Sequence, residues 1–203
     1  MKNKIIFATG NKGKVKEIQE ILKDLNYEVL TMKEAGIEIA IEENGKTYEE
    51  NALIKARSVA QHTDAIVMAD DSGLEVDAMD KSPGVLSARF MGEDTSYRIK
   101  NAEIIRRLEG KEGDERSARF VCAIAAVFPD KSEVTTRATI EGLIGYEEQG
   151  ENGFGYDPIF YVPEFGKTTA QLSPEEKNQV SHRGKALRLM KEELMKYESN
   201  HCK

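Results

Sequence analysis

The first 25 residues contain Lys4-Ile-Ile-Phe-Ala8, then Thr9-Gly-Asn-Lys-Gly-Lys14, then an amphipathic stretch over residues 15–25. The first segment is an apolar run with the length of a buried strand, and the apolar residues of the third recur at helical spacing. Two glycines lie between them, where a strand has to turn into a helix. The order strand, glycine-containing loop and helix is typical of an α/β fold.

The remaining chain continues this alternation. Further strands are predicted at residues 27–32, 65–69, 118–128 and 133–144, and helices at 47–62, 95–108 and from 173 to about 197. Thr47-Tyr-Glu-Glu50 and Ser173-Pro-Glu-Glu176 are capping boxes that mark two helix starts. Asp70-Asp-Ser-Gly73 consists of turn-formers and is predicted to end the strand at residue 69. The inner face predicted for the 95–108 helix is Ile99, Ala102, Ile105 and Leu108.

The two longest strands, joined by Pro129-Asp-Lys131, predict a hairpin that could form the sheet of a second lobe. A hairpin beside alternating strands and helices predicts a mixed sheet flanked by helices. We find no repeat and no Pro-, Gly- or Ser-rich linker, and we therefore expect a single domain over residues 1–203.

Composition narrows the class of protein. Of the 203 residues, 39% are hydrophobic and 32% charged, which is the balance of a globular protein rather than a disordered or membrane-spanning one. A net charge of -7 disfavours binding to nucleic acid or anionic membranes. The apolar segment before Thr9 is too short for a signal peptide, so we expect a cytoplasmic protein. Cys122 and Cys202 lack partners at metal-ligand spacing and are interpreted as structural thiols.

The loop between the first strand and the first helix is suited to phosphate. Its glycines permit close approach of the backbone, the helix start offers amide donors, and Lys12 and Lys14 supply positive charge. It matches neither G-x-x-x-x-G-K-[ST] nor G-x-G-x-x-G. A plain turn with solvated lysines is therefore an equal alternative on local grounds.

Adjacent carboxylates at Asp70 and Asp71 repel each other, and a hard cation would relieve that repulsion. Mg²⁺ prefers a few carboxylates together with water and phosphate oxygens, so a distant acid, Glu42 or Glu43, could complete its coordination. A solvated, Asp-rich turn is the alternative interpretation.

Two further groups of residues have the chemistry of a nucleotide site. In Gly153-Phe-Gly-Tyr-Asp-Pro158, glycines flank an aromatic ring and free its face for stacking on a base. A polar cluster at the last helix contains Lys177 and Ser181-His-Arg-Gly184. A tight turn with a core Phe, and a structural His beside a solvated Arg, are the simpler interpretations.

Taken together, these motifs resemble the Ham1-like inosine triphosphate pyrophosphatase family. The resemblance covers nearly the whole chain, and six motifs in the right order carry it. They are Ala8-Thr-Gly-Asn11, Glu49-Glu-Asn-Ala52, Ala69-Asp-Asp-Ser-Gly-Leu74, Gly84-Val-Leu-Ser-Ala-Arg89, Gly153-Phe-Gly-Tyr-Asp-Pro158 and Ser181-His-Arg-Gly-Lys-Ala186.

The resemblance implies hydrolysis of dITP, ITP and XTP to the monophosphate and pyrophosphate. It also implies an elongated α/β fold, an active-site cleft between two lobes, and a homodimer. Asp71 would bind Mg²⁺ and act as the base, with Glu42 as second metal ligand and Glu43 as the neighbouring alternative. The substrate would contact Thr9, Gly10, Asn11, Lys12, Gly13, Lys14, Lys55, Ser72, Phe154, Gly155, Tyr156, Asp157, Lys177, His182 and Arg183, with Phe154 stacked on the purine.

Two other functions remain open at this point. Maf-like nucleotide pyrophosphatases share the architecture but prefer modified pyrimidines or methylated guanine. A nucleotide sensor would bind without cleaving, although a binder would have little need for the second charge of Asp70 beside Asp71. Hydrogen-bond donors aimed at the 6-keto oxygen would reject adenine. Guanine also carries that oxygen, and the sequence does not show how it is excluded.

Overall fold

The computed structural model of the protein describes residues 3–9 and 12–201. Seven strands are present: β1 Asn3–Phe7, β2 Tyr27–Thr31, β3 Ile66–Val76, β4 Ser117–Val127, β5 Glu133–Ile144, β6 Phe160–Val162 and β7 Lys167–Thr168. The α-helices are α1 Lys12–Leu22, α2 Tyr48–Ala60, α3 Tyr97–Arg107, α4 Pro174–Val180 and α5 His182–His201.

All seven strands form one sheet in the order β2-β1-β3-β4-β5-β6-β7. Strand β1 runs parallel to β2 and β3, whereas β6 is antiparallel to β5 and β7. The predicted mixed sheet is therefore confirmed. The predicted β4–β5 hairpin strands are also present, but they belong to this sheet and not to a separate one.

The chain divides into two compact units. The first unit consists of three segments: the residues up to Asp71, Cys122–Ala138, and the residues from Arg183 onward. The second unit consists of Ser72–Val121 and Thr139–His182. The unit boundaries at residues 71, 121 and 138 fall inside β3, β4 and β5. A single domain over residues 1–203 stays a prediction.

In the first unit, helices cover both faces of the sheet because successive strand residues point to opposite sides. Ile5, Phe7 and Met68 pack with apolar residues of α1 and α5. Ile6 and Val67 point the other way and join a second core that includes Ala52, Ala56 and Val59 of α2. Burial on both faces explains why these strands read as continuous apolar runs.

The second unit has its own core. Leu74 and Val76 of β3 pack with Ile104 of α3 and with apolar residues of β4, β5 and β6. Arg116 is buried beside this core, and its guanidinium donates to the carbonyl oxygens of Leu108, Ile144 and Gly145. A buried cation is tolerated here because backbone oxygens satisfy its donors.

The prediction that Asp70-Asp-Ser-Gly73 ends a strand was wrong. β3 runs without a break from Ile66 to Val76. The register of β1 with β3 covers Ile66–Met68, and β4 is the neighbour on the other side of β3; pairing with β4 outweighs the turn preference of these four residues.

The inner face predicted for the 95–108 helix was half right. Leu108 is buried and Ile105 packs against the core, whereas Ile99 and Ala102 are exposed. The buried residues within α3 are Lys100, Asn101 and Ile104. The ammonium of Lys100 donates to the carbonyl oxygen of Ala88 at 2.6 Å, so this charged side chain can face inward.

The single helix predicted from residue 173 to about 197 is two helices in the structure. α4 ends before Ser181, and α5 begins at His182.

Both predicted capping boxes are confirmed. The Thr47 hydroxyl accepts from the backbone nitrogen of Glu50 at 3.1 Å, and the Glu50 carboxylate accepts from the backbone nitrogen of Thr47. Ser173 and Glu176 repeat this arrangement at α4. The first box fixes the start of α2, which carries Asn51 and Lys55.

Replacing Thr47 by alanine should lower the free energy of unfolding by about 1 kcal/mol, because the first turn of α2 loses its cap. Urea denaturation followed by circular dichroism measures this change. Thr47→Ser, which keeps the capping hydroxyl, is the matched control and should stay within about 0.5 kcal/mol of the wild type. Equal effects of the two substitutions would contradict the capping role.

Among the described residues, no helix is long and apolar enough to cross a membrane.

Candidate active site

Two adjacent carboxylates of β3 point to opposite faces of the sheet. Asp70 follows Met68 toward the side of α1 and α5, and Asp71 follows Val67 and Ala69 toward the side of α2. Each carboxylate therefore has different close contacts. Lys14 and Lys55 nevertheless lower the pKa of both, so these cations together relieve the repulsion expected between the two carboxylates.

Asp70 is almost completely buried, with 1% of its surface exposed, and it contacts two cations. Its Oδ2 lies 2.9 Å from Nζ of Lys14 and 3.3 Å from Nε of Arg183. Burial alone would raise the pKa of Asp70, but Lys14, Arg183 and Lys55 outweigh it and hold the pKa well below its usual value. Asp70 is therefore ionised throughout the neutral range.

Asp71 has the opposite electrostatic balance. Nδ2 of Asn51 donates to its Oδ2 at 3.1 Å, and Nζ of Lys55 lies 3.6 Å from its Oδ1. Burial raises the pKa of Asp71 above that of an ordinary aspartate, against the lowering effect of Lys55 and Asn51. A carboxylate with a raised pKa is a better proton acceptor, as a general base requires.

Lys55 connects Asp71 to a third carboxylate. Its Nζ lies 3.0 Å from Oε2 of Glu43. Burial would lower the pKa of Lys55, but Asp71, Asp70 and Glu43 raise it on balance, so the ammonium stays charged. Glu42 is exposed, whereas Glu43 is partly buried beside Lys55. Of the two acids considered for the metal, Glu43 is the one grouped with Asp71.

This donor set fits a hard divalent cation. Glu43 and Asp71 share one ammonium, so positive charge is already stabilised between two carboxylates. Magnesium typically takes one or two carboxylates and completes its coordination with water and phosphate oxygens. Among the described residues, no group of three or more His, Cys, Asp or Glu could hold a metal without such help.

A cavity of about 590 Å³ opens beside these residues in the first unit. Its lining includes Thr9, Lys14, Glu43, Lys55 and Asp70. Asp71 is not part of the lining and is linked to the cavity through Lys55. Lys33 and Glu38, which the sequence did not single out, also line it.

The predicted phosphate loop is only partly described. Thr9 follows β1 and lines the cavity, and the backbone of Lys12 and Gly13 begins α1. Gly10 and Asn11 lie outside the described residues. Lys14 is on the first turn of α1, where it reaches Asp70.

The second unit brings together Phe154, Asp157 and Lys177. Phe154 is 39% exposed, and Nζ of Lys177 lies 5.0 Å from its ring centroid. Asp157 is buried and accepts from the backbone nitrogen of Phe154, from Oγ1 of Thr169 and from Nζ of Lys177, at 2.8, 2.8 and 2.7 Å. Its carboxylate therefore shapes the loop under the exposed ring.

Two glycines permit this loop. Gly153 and Gly155 have φ angles of +79° and +69°, which L side chains rarely adopt. A Cβ at Gly153 would also collide with the carboxylate of Asp157. The sequence motif is thus a conformational requirement as well as a chemical one.

Two of the remaining predicted residues, Tyr156 and His182, are buried and pack against other side chains. Tyr156 is buried in the core of the second unit, and its hydroxyl donates to the carbonyl oxygen of Ser87 at 2.7 Å. His182 is buried and stacks on Phe120, with ring centroids 4.9 Å apart. Ser72 is a partly buried residue of β3.

Comparison with known proteins identifies the family. A sequence model of the Ham1 family matches residues 5–193. The chain belongs to the Ham1 family. A dITP/XTP pyrophosphatase of Exiguobacterium sp. strain AT1b is 48% identical over 96% of this chain and 98% of that protein. A dITP/XTP pyrophosphatase of Clostridium perfringens is 46% identical over 94% of this chain and 97% of that protein.

Solved structures of the Ham1 family have the same fold. The Ham1 protein of Staphylococcus aureus matches with a TM-score of 0.86 at 40% identity, covering 96% of this chain and 100% of that one. A HAM1 protein from Coxiella burnetii gives a TM-score of 0.87 at 40% identity, covering 96% and 99%. The resemblance inferred from six motifs is therefore confirmed at the level of family and fold.

Two residues that contact predicted site residues were not predicted from the sequence. Asn51 binds Asp71 in the first unit, and Thr169 binds Asp157 in the second. Asp70 was singled out for a cation, and its contacts with Lys14 and Arg183 were not predicted. Asn51 lies inside the quoted Glu49-Glu-Asn-Ala52 motif, which was a signal for it. Thr169 gave no signal because an isolated threonine has no distinctive chemistry.

Proposed function

We propose that this chain hydrolyses non-canonical purine nucleoside triphosphates, namely dITP, ITP and XTP, to the monophosphate and pyrophosphate. The observation that carries the proposal is Lys55, held between the carboxylates of Asp71 and Glu43 at the edge of a cavity that Lys14 also lines. Cations for a polyphosphate and carboxylates for a metal thus occur together. The curated relatives named dITP/XTP pyrophosphatase support the same activity.

The proposed cofactor is Mg²⁺, held by Asp71 and by Glu43 in preference to Glu42. Glu43 replaces Glu42 in this assignment because Glu43 is the acid that contacts Lys55. When bound, Mg²⁺ would neutralise phosphate charge and favour ionisation of water. Cytoplasmic location and a homodimer are part of the same proposal.

The residues of the first unit would bind the triphosphate and cleave it. Thr9, Lys14 and Lys55, with the loop of residues 10–13, would bind the phosphates. Asp71 would accept the proton of the attacking water as the bond between the α- and β-phosphates breaks. Lysines and loop amides would stabilise the charge that builds on the departing pyrophosphate.

The residues of the second unit would recognise the base. Phe154 offers an exposed ring for stacking, and Lys177 is a donor beside it. Asp157 would act by fixing Lys177 and the Phe154 loop, because its carboxylate already accepts three protein donors. Ser72, Gly155 and His182 remain proposed substrate contacts, as does Arg183 of the first unit, and Tyr156 would contribute through its backbone.

A panel of triphosphates tests this function. With Mg²⁺ present, kcat/KM for ITP, XTP and dITP should exceed that for ATP by about 100-fold or more, because a mismatched donor pair is costly in a buried site. Preference for dTTP or UTP would indicate a Maf-like specificity. Intact ITP after long incubation would indicate a sensor.

Replacing Phe154 by alanine should raise KM for ITP by about 10-fold or more, since stacking of a base on an aromatic ring contributes about 1–3 kcal/mol. Steady-state kinetics at saturating Mg²⁺ measures the change. Phe154→Tyr is the matched control and should remain within about 3-fold of the wild type. An unchanged KM in the alanine variant would remove Phe154 from the base site.

A further inference from the structure

The two carboxylates of the motif Asp70-Asp71 have different partners, and the proposed function uses only Asp71. Asp70 lies on the other face of β3, where its Oδ2 contacts Lys14 at 2.9 Å and Arg183 at 3.3 Å. Asp70 is buried, as are the side chains of Arg183 and most of Lys14. One carboxylate oxygen thus fixes one cation from α1 and another from α5.

We propose that Asp70 is a positioning residue, which holds the Lys14 ammonium and the Arg183 guanidinium in place for the substrate and does not ligate the metal. The proposal rests on the proposed function, in which both cations contact substrate. Lys14 and Arg183 are 169 positions apart in the sequence, and Asp70 is their shared partner.

The charges explain why a carboxylate is useful at a phosphate site. Asp70 neutralises one of the two cations, so one positive charge is left among these three groups to attract an anion while the position of both cations is fixed. Without Asp70, two largely buried cations would repel each other and lose their common anchor. Preorganised charge matters most in the transition state, where negative charge moves onto the leaving group.

Sheet geometry argues against a metal-ligand role. Adjacent residues of a strand point to opposite faces. Asp71 contacts Asn51 and Lys55 of α2, whereas Asp70 contacts α1 and α5. Asp70 lines the same cavity as Glu43, but its close contacts are the two cations and not the ammonium that Asp71 and Glu43 share.

The test is the Asp70→Asn variant, which keeps the shape and removes the charge. We expect kcat for ITP to fall by about 10- to 100-fold, as a small misplacement of a charged group can produce. KM for ITP should decrease or stay within about 3-fold of the wild-type value, because the variant lacks the Asp70 carboxylate, which repels the phosphates. The Mg²⁺ concentration for half-maximal activity should stay within about 2-fold.

Three measurements complete the test. In a Lys14→Met background the further loss of kcat on Asp70→Asn should be clearly smaller than in the wild type, because Lys14 already carries part of the effect. Calorimetry with inorganic tripolyphosphate and no metal should show Asp70→Asn binding at least as tightly as the wild type. Asp77→Asn, which removes an exposed aspartate paired with Arg119, is the control and should leave kcat within about 2-fold.

Opposite results would overturn the proposal. A Mg²⁺ requirement raised 10-fold or more would make Asp70 a metal ligand. A lower Tm with unchanged kcat in Asp70→Asn would give Asp70 a purely structural role. Fully additive effects of Asp70→Asn and Lys14→Met on kcat would show that the two residues do not act together. If Asp70→Asn does not fold, the second variant is Asp70→Glu, which keeps the negative charge but moves it. A wild-type kcat in Asp70→Glu would contradict the proposal that Asp70 positions Lys14 and Arg183. Absence of ITP turnover in the wild type would refute the proposed function instead, and calorimetry would still test the role of Asp70.

Discussion

Replacement of Asp71 by asparagine should lower kcat for ITP hydrolysis by about 10²- to 10⁴-fold, the range that a lost general base produces. Asn51 donates to Asp71 at 3.1 Å, and an asparagine at position 71 can still accept that hydrogen bond through its amide oxygen. The fold should therefore persist while proton acceptance and metal binding are lost. Pyrophosphate release measures the activity, and circular dichroism checks the fold.

Asp64→Asn is the matched control for this prediction. Asp64 is exposed and lies two residues before β3 begins, so its neutralisation should change kcat by less than about 2-fold. Near-normal turnover by Asp71→Asn would remove Asp71 from the role of base. Loss of the folded state in Asp71→Asn would instead assign Asp71 a structural role.

Replacement of Lys55 by methionine should lower kcat by about 10²- to 10³-fold, as removal of one preorganised charge at a developing oxyanion does. Lys55 lowers the pKa of Asp71, so its loss should raise that pKa further. A base works only when it is deprotonated. The acidic limb of the kcat/KM profile should therefore move to higher pH in the variant.

The control for Lys55 is Lys46→Met, at an exposed position just before α2. It removes the same charge from the same region without touching Asp71 or Glu43, and both kcat and the acidic limb should match the wild type. An acidic limb that stays in place or moves to lower pH in Lys55→Met would contradict the contact between Lys55 and Asp71.

Local signals predicted local structure well. The capping boxes at Thr47 and Ser173 were read correctly because each is closed within four residues. Asp70-Asp-Ser-Gly73 was predicted to end the strand, and this was wrong because its extended conformation depends on the neighbouring strand β4, which the local sequence does not contain. The inner face of the 95–108 helix was predicted correctly at Ile105 and Leu108 but missed Lys100, which is buried because its ammonium donates to a carbonyl oxygen of a separate segment.

The candidate site shows the same limit. Motif order was enough to find the family, and the roles of Asp71, Lys55 and Phe154 stay predictions. Adjacent loop residues carry identical chemistry, so the sequence could not show that Glu43 and not Glu42 contacts Lys55; which of the two binds the metal stays a prediction. The role of Asp70 depends on Arg183, 113 residues away, and no local pattern encodes that contact.

The second carboxylate also bears on the sensor alternative. From the sequence alone, a protein that binds a nucleotide without cleaving it has little need of a second negative charge beside Asp71. In the structure Asp70 has its own partners on the other face of β3, so its presence does not by itself distinguish cleavage from binding. The assignment of a catalytic function therefore depends on Asp71, Lys55 and Glu43.

Identification of the products formed from ITP tests the central claim most directly. The protein, incubated with ITP and Mg²⁺ and followed by ³¹P NMR, should yield IMP and pyrophosphate in equal amounts. IDP with orthophosphate, or unchanged ITP, would contradict the account.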